Sequence, residues 1–225
     1  MQPARSLIER APHRATPEGS VRHPSRRSRR AMTFGLACGL LLAACSDDVK
    51  PAATAIDVTG AAYGRDFRLQ DTAGQWRSLA DFRGRTVLLF FGFTQCPDVC
   101  PAAMTQAVDV LRLLGDDGTK VQVLFVSLDP ERDSAEILRA FVGSFHPSFM
   151  ALRGDMEVTR KTAEDFKVFF RKVPLAGSYT IDHTAFVYVY DTQGRLRRAL
   201  RPGMSARAQA DAVKALMNES AAPPA

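Results

Sequence analysis

The sequence predicts an α/β fold, and three observations carry that prediction. Residues 87–91 and 121–128 are near-continuous apolar runs, as expected of central strands covered on both faces by helices. Between them Cys100, Met104, Ala107, Val108, Leu111 and Leu114 recur at helical spacing, which makes a strand–helix–strand unit. Downstream, further helical stripes alternate with short β-type runs.

The folded unit is expected to begin near Tyr63. Phe67-Arg68-Leu69-Gln70 and Trp76-Arg77-Ser78-Leu79, joined by a turn containing Gly74, predict an opening β-hairpin. After the strand–helix–strand unit, Asp133 with Glu136 makes an acidic variant of a capping box, starting a helix that buries Ile137, Leu138, Phe141, Val142 and Phe145. Residues 149–152 are a short strand candidate. Asp155 caps a third helix turning Val158, Thr162, Phe166 and Phe169 inward; residues 172–182 then read as an irregular stretch. Residues 185–190 and 196–200 predict a hairpin across Asp191-Thr192-Gln193-Gly194, in which Tyr188 and Tyr190 pack the sheet. A last helix holds Ala206, Ala210, Val213 and Met217, and residues 218–225 read as a disordered tail. This order, with a cysteine pair straight after the first central strand, is that of a thioredoxin-like fold with an N-terminal β-hairpin extension.

The chain has 225 residues and a net charge of +6. Eight of its 30 basic residues but only two of its 24 acidic ones lie in residues 1–44, so the remainder is formally neutral and the argument for a nucleic-acid partner disappears. Residues 1–44 read as an export signal. Arg26, Arg27, Arg29 and Arg30 precede 13 largely apolar residues, 32–44, whereas a membrane helix needs roughly 20. The ending Leu42-Ala43-Ala44-Cys45-Ser46 resembles a bacterial lipoprotein box, which implies lipidation at Cys45 and a membrane-anchored, periplasm-facing protein. The plainer alternative is a simple signal with a chance cysteine. Residues 45–62 then supply the lipidated Cys and a flexible tether, ahead of a domain at 63–217.

Cys96 and Cys100 are the most informative residues. Positions i and i+4 of a helix stack one above the other, so two soft sulfurs there can reach one metal ion or each other. A disulfide across so small a loop restrains little, which argues against a mainly structural bridge and leaves metal binding or redox chemistry. Cys96 falls at or just before a helix start, where the dipole favours its thiolate. His183 and His146 are the histidines outside the leader. His146 follows a helix and is assigned to its C-terminal end. Asp129 closes the second central strand and has two readings, a turn residue before Pro130 or a group near the site.

Three segments resemble one known family, the Sco/SenC copper proteins of cytochrome c oxidase assembly. They are Gly92-Phe93-Thr94-Gln95-Cys96-Pro97-Asp98-Val99-Cys100-Pro101, Ser127-Leu128-Asp129-Pro130-Glu131-Arg132-Asp133 and Tyr179-Thr180-Ile181-Asp182-His183-Thr184-Ala185-Phe186. The resemblance covers residues 63–217. It implies copper, as Cu(I) and Cu(II), held by Cys96, Cys100 and His183, with Asp129 and Asp182 as supporting or partner-docking residues. It further implies a metallochaperone that takes copper from an upstream periplasmic carrier and serves the copper domain of oxidase subunit II, or prepares its thiols. The rival is a cell-envelope thiol-disulfide oxidoreductase using Cys96 and Cys100 as a redox disulfide. Against it stand the C-x-x-x-C spacing and the absence of Pro from residues 178–184, where His183 is found instead.

Overall fold

The computed structural model describes residues 54–221. Its elements run β1 (Ile56–Asp57), β2 (Leu69–Asp71), β3 (Trp76–Arg77), β4 (Thr86–Gly92), α1 (Val99–Leu114), β5 (Val121–Ser127), α2 (Ala135–Gly143), β6 (Met150–Arg153), α3 (Met156–Asp165), β7 (Phe170–Leu175), β8 (Ser178–His183), β9 (Val187–Tyr190), β10 (Leu196–Leu200) and α4 (Ala206–Ala221). Eight strands form one sheet in the order β1-β10-β9-β4-β5-β6-β2-β3, and β7 with β8 makes a separate two-stranded ribbon.

Every residue of β4 and β5 is buried, as their near-continuous apolar runs lead one to expect. Successive side chains of a strand point to opposite faces, and β4 divides accordingly. Leu88 and Phe90 pack with Met104 of α1, Leu138 of α2 and Val213 of α4. Val87, Leu89 and Phe91 face the other way, onto Phe67, Phe82, Ala163 of α3 and Phe166. β4 and β5 are parallel with Gly92 opposite Ser127, so the loops leaving both strands emerge side by side. That is the sheet edge at which open α/β folds gather ligands.

Several boundaries differ from those expected. β1 pairs antiparallel with β10 through Ile56 and Asp57, so among the described residues the sheet already includes Ile56, ahead of Tyr63, and α4 extends past Met217 to Ala221. β2 and β3 do pair, but β2 also pairs with β6, making both part of the main sheet's edge. The stretch 172–182 is the β7–β8 ribbon; its charged residues hid it, because the ribbon buries Ile181 while Arg171, Lys172 and Asp182 stay exposed. Phe169 is 58% exposed: α3 stops at Asp165, and Lys167 takes a left-handed φ of 57° that turns the chain away. The N-cap of α2 is Ser134, whose side chain accepts from Ile137 N–H; Asp133 is spent elsewhere. Residues 1–44, Cys45 and the tether as far as residue 53 lie outside the described residues. Among those described, no helix is long and apolar enough to cross a membrane.

Candidate metal centre

The site is assembled where β4 ends. A Cβ on Gly92 would stand 2.8 Å from Cys100 Sγ and 2.8 Å from the Phe125 ring, so only a residue without a side chain lets that sulfur lie against the strand end. Leu128 N–H donates to Gly92 O at 2.7 Å, locking the two strand exits together. The chain then turns through Phe93, with Cys96 N–H donating to Phe93 O, and α1 begins at Val99 behind its N-cap Asp98. Cys96 is therefore in the loop, half-buried, and Cys100 is fully buried in the first helical turn.

The side chain of Asp98 caps nothing. Instead Cys100 N–H donates to Cys96 Sγ at 3.3 Å, so the sulfur satisfies a helix-start donor that a side-chain oxygen usually takes. A hydrogen bond from the Cys100 thiol holds the Cys96 pKa down, reinforced against burial by backbone N–H donors, to about 5. The same hydrogen bond and burial push Cys100 far up. At neutral pH the pair is a Cys96 thiolate beside a Cys100 thiol. Both cysteines are free.

His183 ends β8 and comes to the pair from the opposite side. Its Nδ1 lies 2.9 Å from Thr184 O, and because a carbonyl only accepts, that nitrogen carries the proton. In the neutral ring Nε2 is then the lone-pair nitrogen, and it stands 3.8 Å from Cys100 Sγ. Phe90 and Phe93 meet the imidazole edge-on at 6.1 and 5.9 Å. A cleft of about 230 Å³ opens beside these groups, lined by Phe93, Cys96, Val99, Thr180 and His183. Two larger cavities among the described residues, about 650 and 530 Å³, are lined by neither thiol.

Cys100 thus touches both other candidate ligands. Among the described residues no three His, Cys, Asp or Glu side chains already stand at metal-ligand spacing. The donor set is nonetheless of the right chemistry for copper: two soft sulfurs, one already ionised, and an imidazole with its lone pair turned inward. Hard cations that want carboxylate oxygens find none in the cleft wall except the exposed Asp98 and Asp182.

The remaining expectations are sorted by geometry. Asp129 is fully buried, pairs with Arg132 and accepts from Tyr179 Oη–H at 2.8 Å; its contacts run to the ribbon that carries His183. Asp182 is exposed, pairs with Arg171 at 3.3 Å and lies on the rim of the cleft. His146 meets the helix end through its backbone, its N–H donating to Val142 O, while the imidazole turns to its own loop: Nδ1 lies 2.8 Å from Ser148 Oγ and accepts from Ser148 N–H. Tyr188 and Tyr190 do pack the sheet, their hydroxyls donating to Phe166 O and Gly64 O.

Asp133 escaped the sequence reading, which had used it as a cap. It is buried, and it accepts from Thr94 Oγ1–H at 2.5 Å, Thr94 N–H at 3.2 Å and Ser127 Oγ–H at 2.6 Å. Those bonds hold the loop leading to Cys96, and burial raises the pKa of the carboxyl. Its place in the same motif as Asp129 was the available signal.

The architecture is thioredoxin-like, and paired thiols facing an imidazole at the strand exits define a soft-metal or thiol-redox centre. The chain belongs to the SCO1/SenC family, whose profile matches residues 57–218. It is 32% identical over 218 residues to the mitochondrial SCO2 homolog of Homo sapiens, covering 92% of this chain and 82% of that one. The mitochondrial SCO2 homolog of Danio rerio is 38% identical over 133 residues, 57% of this chain and 48% of the relative, so that match spans about half the relative's length. The copper-bound structure of Bradyrhizobium japonicum ScoI is 36% identical and superposes with a TM-score of 0.63, over 69% of this chain and all of that one.

Proposed function

We propose that this protein is a copper-binding metallochaperone that delivers copper to the copper centre of cytochrome c oxidase, or prepares the thiols of that centre, with Cys96, Cys100 and His183 as its ligands. The observation that carries the reading is the 3.8 Å approach of His183 Nε2 to Cys100 Sγ, with Nδ1 committed to a carbonyl. Copper is cargo here. Cu(I) is met by the Cys96 thiolate and by Cys100 as it gives up its proton; Cu(II) draws on the imidazole as well. Half-exposure of Cys96 gives a partner access, while the buried Cys100 and the aromatic walls shield the ion from water.

A second reading is favoured by the asymmetry of the thiols. An accessible thiolate beside a buried thiol is the arrangement of an attacking and a resolving cysteine. Cys96 would attack a partner disulfide and form a mixed disulfide. Cys100 would then displace the partner's second sulfur, leaving a Cys96–Cys100 disulfide and a dithiol on the partner.

Lipidation at Cys45 would anchor the domain to a membrane facing the periplasm, where it meets both an upstream copper carrier and subunit II. Cys45→Ala should release it, and a variant that still fractionates with membranes after a salt wash contradicts the anchor. The function itself is tested in two arms, copper-loaded protein with the reduced apo copper domain of oxidase subunit II and metal-free reduced protein with the oxidised domain, following metal and thiol state on both partners. Copper moving to a reduced partner supports delivery, and reduction of an oxidised partner supports the second reading. Neither event occurring contradicts both.

A further inference from the structure

We propose that Arg132 is a positioning residue that ties the cysteine loop to the strand carrying His183, and so sets the imidazole against the thiols. This rests on the copper reading above. β8 hydrogen-bonds as a strand only to β7 among the described residues, and the two stay outside the main sheet. What holds them to the body therefore fixes where His183 stands. Tyr179, Ile181 and His183 alternate along β8 and share one face. Ile181 is buried in the core, Lys172 of β7 pairs with Glu131, and Tyr179 is a further fastening point.

Five contacts meet at this junction. The Arg132 guanidinium lies 3.6 Å from the Tyr179 ring centroid, and its Nη1 donates to Tyr179 O at 2.8 Å. The same Nη1 donates to Gln95 Oε1 at 3.0 Å, one residue before Cys96. Nε pairs with the fully buried Asp129, whose second oxygen accepts from Tyr179 Oη–H at 2.8 Å. One planar cation is thus stacked on the ribbon, bonded to its backbone, bonded to the cysteine loop and anchored on a carboxylate that also holds the tyrosine. Lysine offers neither the fork nor the flat face, so the junction is specific to Arg.

Because Cu(I) is satisfied by two sulfurs and Cu(II) depends on the imidazole, loosening this junction should act on the two oxidation states unequally. Arg132→Lys, Gln95→Ala and Tyr179→Phe are compared with wild type by Cu(I) competition, Cu(II) competition, the sulfur-to-copper absorption band, and amide hydrogen exchange of residues 179–183 in the apo protein. For Arg132→Lys the expected result is a loss of about tenfold or more in Cu(II) affinity, a shifted band, little change in Cu(I), and faster exchange in β8. Gln95→Ala cuts the bridge at an exposed residue without disturbing Asp129, so it keeps the test valid if Arg132→Lys fails to fold; a smaller change of the same sign is expected. Tyr179→Phe keeps the stack and should fall between wild type and Arg132→Lys. Unchanged Cu(II) affinity and unchanged exchange in folded Arg132→Lys and Gln95→Ala overturn the proposal. Wild-type protein that binds no copper would instead contradict the functional reading, while the exchange measurement would still decide whether Arg132 fastens the ribbon.

Discussion

His183 Nε2 faces Cys100 Sγ across 3.8 Å while His183 Nδ1 is held by the carbonyl of Thr184. With Nδ1 committed to the carbonyl, Nε2 is the ring nitrogen left to face the more deeply buried of the two thiols. His183→Ala should retain appreciable Cu(I) and lose stable Cu(II) with its sulfur-to-copper absorption, whereas Cys96→Ser or Cys100→Ser should lose both. Titration of each variant with both oxidation states checks this, and an unaltered Cu(II) spectrum in His183→Ala removes His183 from the site.

The thiol asymmetry predicts an alkylation profile. With its pKa held down to about 5, Cys96 stays ionised as pH falls from neutrality until that value is reached. Its rate with iodoacetamide should be flat across the neutral range, where an ordinary thiol of pKa about 8.5 loses reactivity steeply with acid. Cys100 should react only after unfolding. Peptide mass spectrometry across pH reads both, and a Cys96 rate still rising through pH 8 contradicts the assignment.

Copper uptake follows from the same protonation states. Cys96 enters the reaction already ionised and Cys100 as a thiol, so Cu(I) binding at neutral pH should release about one proton rather than two. Calorimetry in buffers of different ionisation enthalpy measures that number.

Gly92→Ala should disturb the site from behind. The added methyl falls 2.8 Å from Cys100 Sγ and 3.0 Å from the Phe90 ring, both fully buried, so the sulfur must move. A cost of about 1–3 kcal/mol in stability is expected, with weakened copper binding. Urea denaturation and copper competition on the same samples test it.

Asp133→Ala leaves the donors of Thr94 and Ser127 without their acceptor and should cost about 3 kcal/mol. Asp133→Asn should cost less, and in a pH-dependent way. Burial raises the folded-state pKa of Asp133, so the stability it contributes is fullest in acid and declines as pH rises through that value. The gap between wild type and Asp133→Asn should therefore narrow from acid toward neutral pH, as read by urea melts.

The apolar runs of β4 and β5 and the stripe of α1 made the centre of the fold legible, because burial on both faces leaves a continuous pattern. The β7–β8 ribbon was not legible. It buries Ile181 and leaves charged residues outward, a pattern that reads as a loop. Cys96, Cys100 and His183 could be named from chemistry and resemblance, and the burial of Cys100 followed from its place on the α1 stripe, but the hydrogen bond shared between the two sulfurs could not be read. Arg132 and Tyr179 sat inside quoted motifs, yet their contact joins residues far apart in the chain. Asp133 shows a local rule losing to tertiary structure: Ser134 caps the helix, freeing the carboxylate for the cysteine loop.

Copper K-edge X-ray absorption on the one-to-one complexes of the reduced protein tests the central claim most directly. Two sulfur scatterers with Cu(I), and two sulfurs with an imidazole nitrogen whose outer-shell scattering disappears in His183→Ala with Cu(II), are the predicted result. A first shell made of oxygen and nitrogen alone, or an imidazole signal that survives His183→Ala, would contradict it.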